Sequence, residues 1–141
     1  MANFYNEILL EHNQHPYHKC RLDGDYLSQR GYNSTCGDDI VLQLKLEKGI
    51  ITEGAFTGAG CAISQASCDM MLDLVIGKSE AEALRLTELF MRMIKGKLTA
   101  EELDELEEAG CLSDISHMPA RVKCATLGWH TLEQILTKKK G

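Results

Sequence analysis

Apolar and polar residues alternate along the chain from residue 40 to residue 57, with one short interruption. Ile40, Leu42, Leu44 and Leu46 share one side of the first segment, and Val41 is the exception to the alternation. This period of two predicts strands over residues 40–47 and 50–57, joined by a turn at Lys48-Gly49. Because only one face of the hairpin is apolar, helices must cover that face. The polar stretch before it carries at most a short strand, near residues 31–34.

Elsewhere the apolar residues recur at helical spacing, and capping residues mark where the helices begin and end. The first helix has Asn3 as its predicted N-cap, and Gly77 ends the second. Capping-box pairs, Ser79 with Glu82 and Thr99 with Glu102, open the next two, and Pro119 opens the last. The predicted helices cover residues 4–13, 61–76, 79–95, 99–110 and 118–136. The pattern indicates an α+β fold, with an antiparallel sheet of about three strands packed against several helices in one domain over residues 1–141.

Charge and length exclude several classes of function. The chain has 141 residues, with 15 Lys and Arg against 21 Asp and Glu, which gives a net charge of −6. An acidic protein of this kind lacks the positive field that binding to nucleic acid or to an anionic membrane requires. The first residues show no basic segment followed by an apolar one, so we expect a cytoplasmic protein.

Six cysteines, at positions 20, 36, 61, 68, 111 and 124, are the main candidates for chemistry. In a chain with its own core and no export signal, clustered cysteines favour metal binding or thiol chemistry over disulfides. Cys36 precedes the first strand of the hairpin and Cys61 follows the second, so both lie at its open end. Cys124 lies in the first turns of the last helix. The start of a helix stabilises a thiolate, the form that binds metal and attacks as a nucleophile.

Asp38 is the natural fourth ligand for these three cysteines. It stands two residues after Cys36, so in an extended backbone the two side chains point the same way. Three thiolates and one oxygen satisfy the tetrahedral coordination of zinc, and thiolates select zinc or iron–sulfur species over calcium or magnesium. We predict that the other cysteines, Cys20, Cys68 and Cys111, are inert. His12 and His15, three residues apart, form a weaker candidate metal site.

Three motifs carry a resemblance to a known family. Cys36-Gly37-Asp38, the segment from Gly58 to Ser64 around Cys61, and Arg121-Val122-Lys123-Cys124 resemble the cysteine motifs of the IscU/NifU-N iron–sulfur cluster assembly family. The resemblance extends over nearly the whole chain and implies a SufE/NifU-like fold. Lys123 stands where the usual scaffold has a histidine, and the stretch between Cys61 and Cys124 is longer. In both of these departures the chain resembles the SufU branch of the family.

Membership of that branch implies zinc bound by Cys36, Asp38, Cys61 and Cys124. It also implies a sulfurtransferase partner of a SufS-type cysteine desulfurase rather than a stand-alone enzyme, with downstream iron–sulfur assembly or acceptor proteins as further partners. We expect Cys36 to be the sulfur acceptor, since its loop is flanked by glycine. Arg121, one helical turn before Cys124, is a candidate docking contact. The alternatives are a scaffold that assembles a [2Fe–2S] cluster on iron at the same residues, and a purely structural zinc domain.

Overall fold

The alternating segment forms the centre of a three-stranded antiparallel sheet. The structure, a computed structural model, describes residues 2–34 and 37–138, with residues 2–6 and 114 described by their backbone alone. The strands are β1 (Leu27–Asn33), β2 (Asp38–Glu47) and β3 (Ile50–Ala59), in the spatial order β1-β2-β3. Lys48 and Gly49 both have positive φ, 54° and 78°, as a tight two-residue hairpin turn requires. The predicted hairpin and fold class are confirmed.

The helices account for most of the remaining chain. They are α1 (Ala2–Gln14), α2 (Ala62–Val75), α3 (Glu80–Ile94), α4 (Ala100–Glu105) and α5 (Pro119–Lys138), and a 3-10 segment covers Glu107–His117. Ser79 and Thr99 are the N-caps of α3 and α4, as predicted, and Thr99 and Glu102 form a complete capping box. Among the described residues, no helix combines the length and the apolar character needed to cross a membrane.

Three sequence predictions of element boundaries are wrong. Asn3 lies inside α1, which begins at Ala2, so it is not the N-cap. The helix opened by Thr99 ends at Glu105 rather than near Gly110, because Glu107 has a φ of 52° and the chain continues as a 3-10 helix. Strand β1 is longer than the predicted segment 31–34 and begins at Leu27.

The apolar face of the sheet packs against α2 and α5. Ile40, Leu42 and Leu44 of β2 are buried there, while Val41 points outward. Gly31 of β1 lets α5 approach closely, because a Cβ atom at this position would overlap the Thr131 hydroxyl. Behind this layer, Phe90 of α3 stacks on Trp129 of α5 at a centroid distance of 4.3 Å. The fold thereby fixes α2 and α5 relative to the open end of the hairpin.

Candidate metal centre

The open end of the hairpin brings together three of the four predicted ligands. Asp38 is the first residue of β2, Cys61 directly follows β3, and Cys124 lies in the second turn of α5. One ligand atom from each of these residues lies within 4.8 Å of the other two. Asp38 and Cys124 are buried, and Cys61 is partly exposed. The cluster therefore opens to the surface on the side of Cys61.

The remaining predicted ligand, Cys36, lies outside the described residues. Gly37, which follows it, has a φ of 71°. The backbone at Gly37 is therefore not extended, so strand alternation no longer supports the prediction that the Cys36 and Asp38 side chains point the same way, and the placement of Cys36 stays a prediction. The sequence still places Cys36 two residues from Asp38.

Cys61 is positioned by its role as the N-cap of α2. Its backbone is extended, with φ −73° and ψ 167°, and its Sγ accepts a hydrogen bond from the Ser64 amide at 3.4 Å. Gly60 is required just before it, since a Cβ atom there would lie 2.6 Å from Asp38 Oδ1 and 2.5 Å from Ser64 Oγ. The thiol therefore lies where the partial positive charge of a helix start is concentrated.

The Asp38 carboxylate is held by hydrogen bonds from three directions. Its Oδ1 accepts the Cys61 amide at 2.8 Å and the Ser64 hydroxyl at 3.1 Å. Its Oδ2 accepts the side-chain amide of Asn33 at 3.3 Å. A buried carboxylate needs such donors, because an unpaired buried charge is strongly unfavourable. Asp38 is therefore fixed by the protein itself.

Asn33 is a site residue that sequence reasoning missed. It is the last residue of β1, pairs with Asp38 in the sheet register and is buried. Its Nδ2 also lies 3.9 Å from Cys124 Sγ, a hydrogen bond to sulfur. The signal in the sequence was an amide near the predicted short strand, but its partners follow only from the register of β1 on β2.

The neighbouring Asp39 has a different role. It lies on the opposite face of β2 and forms a bidentate ion pair with Arg30 at 2.7 and 2.8 Å. Hydrogen bonding to Arg30 lowers the pKa of the Asp39 carboxyl. The Arg30 guanidinium also lies 4.9 Å from the ring centre of Tyr32. Of the two adjacent aspartates, only Asp38 faces the cysteines.

Arg121 and Lys123 lie on the exposed side of α5, next to this cluster along the chain. Arg121 is in the first turn, where its amide donates to the Met118 carbonyl at 2.8 Å. Arg121 is exposed, so its side chain is accessible to a partner.

The other cysteines lie apart from the cluster formed by Asp38, Cys61 and Cys124. Cys68 is fully buried in α2 against Gly128 of α5, and burial raises the pKa of its thiol. Cys20 is exposed and Cys111 is partly buried. Within the described part of the chain, this cluster is the one group of three or more His, Cys, Asp or Glu side chains whose ligand atoms are close enough together to hold a metal.

His12 belongs to a separate buried network. Its Nδ1 lies 2.7 Å from Asp69 Oδ2, and its Nε2 lies 2.8 Å from Glu108 Oε1. Asp69 also accepts the backbone amides of Tyr17 and His18, at 3.1 and 2.8 Å. Both ring nitrogens of His12 are occupied, so the weak metal site suggested for His12 and His15 is wrong.

The donors of the cluster suit a thiophilic divalent metal. Ligands about 2.0–2.3 Å from a tetrahedral zinc lie about 3.3–3.8 Å from one another. The ligand atoms of Asp38, Cys61 and Cys124 all lie within 4.8 Å of one another, which exceeds that spacing by at most about 1.5 Å. Two thiols and one carboxylate leave one tetrahedral position for a further ligand. The donor chemistry therefore fits zinc or iron bound through sulfur better than calcium or magnesium.

Comparisons with known proteins agree with these observations. The model of the NifU-like N terminal domain family matches residues 4–140. The chain is 40% identical over 138 residues to the iron-sulfur cluster assembly scaffold protein IscU of Streptococcus pyogenes serotype M1, a match that covers 98% of this chain and 86% of that protein. It is 36% identical over 141 residues to the zinc-dependent sulfurtransferase SufU of Bacillus subtilis strain 168, covering 100% and 95% of the two chains.

A solved structure gives the same answer for the fold. The crystal structure of a protein from Fervidobacterium islandicum AW-1, described as a candidate iron–sulfur cluster assembly scaffold for the SUF system, superposes with a TM-score of 0.86. The two proteins are 32% identical, and the match covers 92% of this chain and 94% of the other. The two proteins therefore share the whole fold, helices as well as sheet.

Proposed function

The chain belongs to the NifU-like N-terminal domain family of iron–sulfur cluster assembly proteins, and on that premise we propose that it is a zinc-dependent sulfur acceptor of the SufU branch. Its partner is a SufS-type cysteine desulfurase. The observation that carries the proposal is the convergence of Asp38, Cys61 and Cys124 within 4.8 Å. The full-length identity of 36% to a protein named as a zinc-dependent sulfurtransferase supports the choice of branch.

Cys36, Asp38, Cys61 and Cys124 are the proposed zinc ligands. When bound, zinc keeps the thiols deprotonated near neutral pH while lowering their reactivity as nucleophiles. The protein supplies the geometry. Asp38 is held by its hydrogen bonds, Cys61 by the start of α2, and Cys124 by its buried position on α5.

The proposed chemical step is a transfer of sulfur between two thiols. The Cys36 thiolate attacks the outer sulfur of the persulfide on the desulfurase cysteine. A new sulfur–sulfur bond forms at Cys36, the sulfur–sulfur bond of the desulfurase breaks, and the desulfurase thiolate leaves with the electron pair, as in thiol–disulfide exchange. Cys36 would supply this thiolate once it is released from the other proposed ligands at the partner's active site. The exposed Arg121 is the proposed docking contact.

The second candidate is a scaffold on which a [2Fe–2S] cluster is assembled and passed to acceptor proteins. The 40% identity to a protein named as a scaffold favours it. Against it, Lys123 occupies the position before Cys124 where the usual scaffold has a histidine. An exposed ammonium group has no lone pair to offer a cluster. We therefore place the scaffold role second.

A desulfurase assay without iron distinguishes the two functions. A sulfur acceptor raises the turnover of a SufS-type desulfurase on cysteine, because it removes the persulfide that otherwise limits the cycle. A scaffold gives little stimulation until iron is added. Absence of stimulation by the zinc-loaded wild-type protein would reject the sulfur acceptor in favour of the scaffold.

A further inference from the structure

The hydrogen bonds to Asp38 divide its two oxygens into two classes. Each carboxylate oxygen has two lone-pair positions. Oδ1 uses both, one for the Cys61 amide at 2.8 Å and one for the Ser64 hydroxyl at 3.1 Å. Oδ2 uses one, for Asn33 at 3.3 Å. The lone pair that remains available to a metal is therefore on Oδ2.

This count depends on where the Ser64 hydroxyl directs its proton, because two acceptors lie within reach. The Cys61 carbonyl is also 3.1 Å away. That carbonyl already accepts the Gln65 amide at 3.1 Å in the first turn of α2, whereas the carboxylate carries a charge. Hydrogen bonds to charged acceptors are about twice as strong as neutral ones. Ser64 therefore donates to Asp38 Oδ1.

Ser64 is itself fixed, so its hydroxyl acts as a rigid part of the site. Its side chain is buried, and its backbone amide donates to Cys61 Sγ at 3.4 Å. Gly60 allows the hydroxyl and Oδ1 to take these positions, since a Cβ atom there would be only 2.5 and 2.6 Å from them. Ser64 thus contacts two of the proposed ligands, Asp38 and Cys61.

We propose that Ser64 is a positioning residue that occupies Oδ1, so that Asp38 binds the metal through Oδ2 alone and stays in place while a cysteine is exchanged. The inference rests on the proposed function, since it concerns the same metal. Its physical basis is that the carboxylate keeps its three hydrogen bonds whether or not a thiolate has left. The exchangeable ligand is then a cysteine, and Asp38 is the fixed one.

The test replaces Ser64 by alanine and measures the metal rather than the sulfur transfer. Zinc affinity is measured by competition with a chromophoric chelator, and the coordination number by the visible absorption of the protein loaded with Co²⁺. In Ser64→Ala, Oδ1 is free to bind as well. We expect zinc affinity to fall about 10–100-fold, the usual effect of losing a hydrogen bond to a ligand, and the Co²⁺ bands to weaken as a fifth donor enters.

Two further variants make the result specific. Ser67→Ala removes another buried serine of α2, whose hydroxyl donates to the Ala125 carbonyl at 2.6 Å and accepts from Trp129 at 3.1 Å. It is expected to lower the melting temperature while leaving metal affinity and the Co²⁺ spectrum unchanged. Asn33→Ala removes the donor to Oδ2 but leaves Oδ1 occupied, so its Co²⁺ bands keep the intensity of a four-coordinate site.

The outcomes separate this inference from the function on which it rests. Wild-type affinity and spectrum in Ser64→Ala would overturn the positioning role, even if the wild-type protein binds zinc and stimulates a desulfurase. An equal loss of band intensity in Asn33→Ala would also overturn it, because the occupancy of Oδ1 would then not be the cause. A wild-type protein that binds neither Zn²⁺ nor Co²⁺ would overturn both proposals together.

Discussion

The Nδ1 atom of His12 lies 2.7 Å from the Oδ2 atom of Asp69, and both side chains are almost fully buried where α1 meets α2. The second ring nitrogen contacts Glu108 of the 3-10 segment at 2.8 Å, and Tyr17 packs edge-on against the ring. Burial lowers the pKa of His12, but hydrogen bonds and charge interactions with Asp69 and Glu108 outweigh it, so the net pKa is raised. Through its two ring nitrogens, His12 thus joins three segments of the chain.

This relationship predicts a specific pH dependence of stability. Because the folded-state pKa of His12 is raised above 6.5, its contribution is complete below about pH 6.5 and is lost as the pH rises through the folded value. We expect the free energy of unfolding to decrease over that range. His12→Gln should remove this part of the dependence and cost about 1–3 kcal/mol at pH 6. Urea denaturation of both proteins at several pH values measures it, and parallel curves for the two would contradict it.

The second prediction concerns the metal itself. Purified protein is expected to carry about one zinc per chain, since three thiolates and one carboxylate complete a single tetrahedral site. Because the energy of metal binding is also folding energy, chelation should lower the melting temperature. Elemental analysis and thermal melts with and without a chelator measure both effects. Protein without a bound transition metal after mild purification would contradict the assignment of the site.

The third prediction concerns the glycine beside Cys61. Gly60→Ala places a Cβ atom 2.6 Å from Asp38 Oδ1 and 2.5 Å from Ser64 Oγ, so one of them must move. We expect a stability loss of about 1–3 kcal/mol from overpacking, together with weaker zinc binding. Gly77→Ala is the matched control, because its φ of 94° is strained for alanine while no atom lies within 4 Å of the new Cβ. It should lose stability alone; a loss of zinc affinity equal to that of Gly60→Ala would refute the local explanation.

Most of the fold could be predicted from the sequence because the patterns that indicate its strands and helices involve residues close together in the chain. The alternation of Ile40, Leu42 and Leu44 and the caps at Ser79 and Thr99 each depend on residues a few positions apart. Strand β1 gave a weak signal because its buried positions are Gly31 and Asn33 rather than apolar side chains. Its place is decided by α5, which packs directly on Gly31. The 3-10 segment depends on the unusual φ of Glu107, which no propensity of glutamate predicts.

For the candidate site, the approach of Asp38 to Cys61 followed from the hairpin, whose open end holds both. The contacts that hold the site residues in place could not be predicted from the sequence. Asn33 reaches Cys124 across 91 positions of sequence, and Ser64 reaches Asp38 across 26. Such contacts require the strand register and the packing of α2 against the sheet, which no local pattern contains. For the same reason the partnership of His12 with Asp69, 57 positions away, was not predicted.

The fourth prediction concerns the cysteines outside the site. Cys68→Ala should keep metal binding and sulfur acceptance, because its sulfur packs in the core against Gly128. We expect a loss of about 1 kcal/mol from the small cavity. Cys20→Ser and Cys111→Ser should also retain the metal. Zinc content and desulfurase stimulation of the three variants measure this. If any of them abolished zinc binding, the ligand set would be wrong.

The last prediction separates a nucleophile from a ligand. Cys36→Ala should abolish the stimulation of the desulfurase, because no acceptor thiolate remains. Asp38→Ala removes a ligand and no thiol, but it also leaves the Cys61 amide, the Ser64 hydroxyl and the Asn33 amide without their acceptor. Its loss of zinc would therefore be accompanied by a loss of stability of about 1–3 kcal/mol.

Asp38→Asn is the better variant for this purpose, since it keeps an oxygen for the Cys61 and Ser64 donors while removing the negative charge that binds the metal. We expect it to fold, to bind zinc weakly and to stimulate the desulfurase poorly, although every thiol is present. Mass spectrometry of the wild-type reaction should find the added sulfur first on Cys36. Sulfur found first on Cys61 or Cys124 would reject Cys36 as the acceptor. In this proposal the Asp38 carboxylate serves the reaction only by binding the metal. An Asp38→Asn protein that lacks zinc but is fully active would therefore show that the transfer needs the thiols alone.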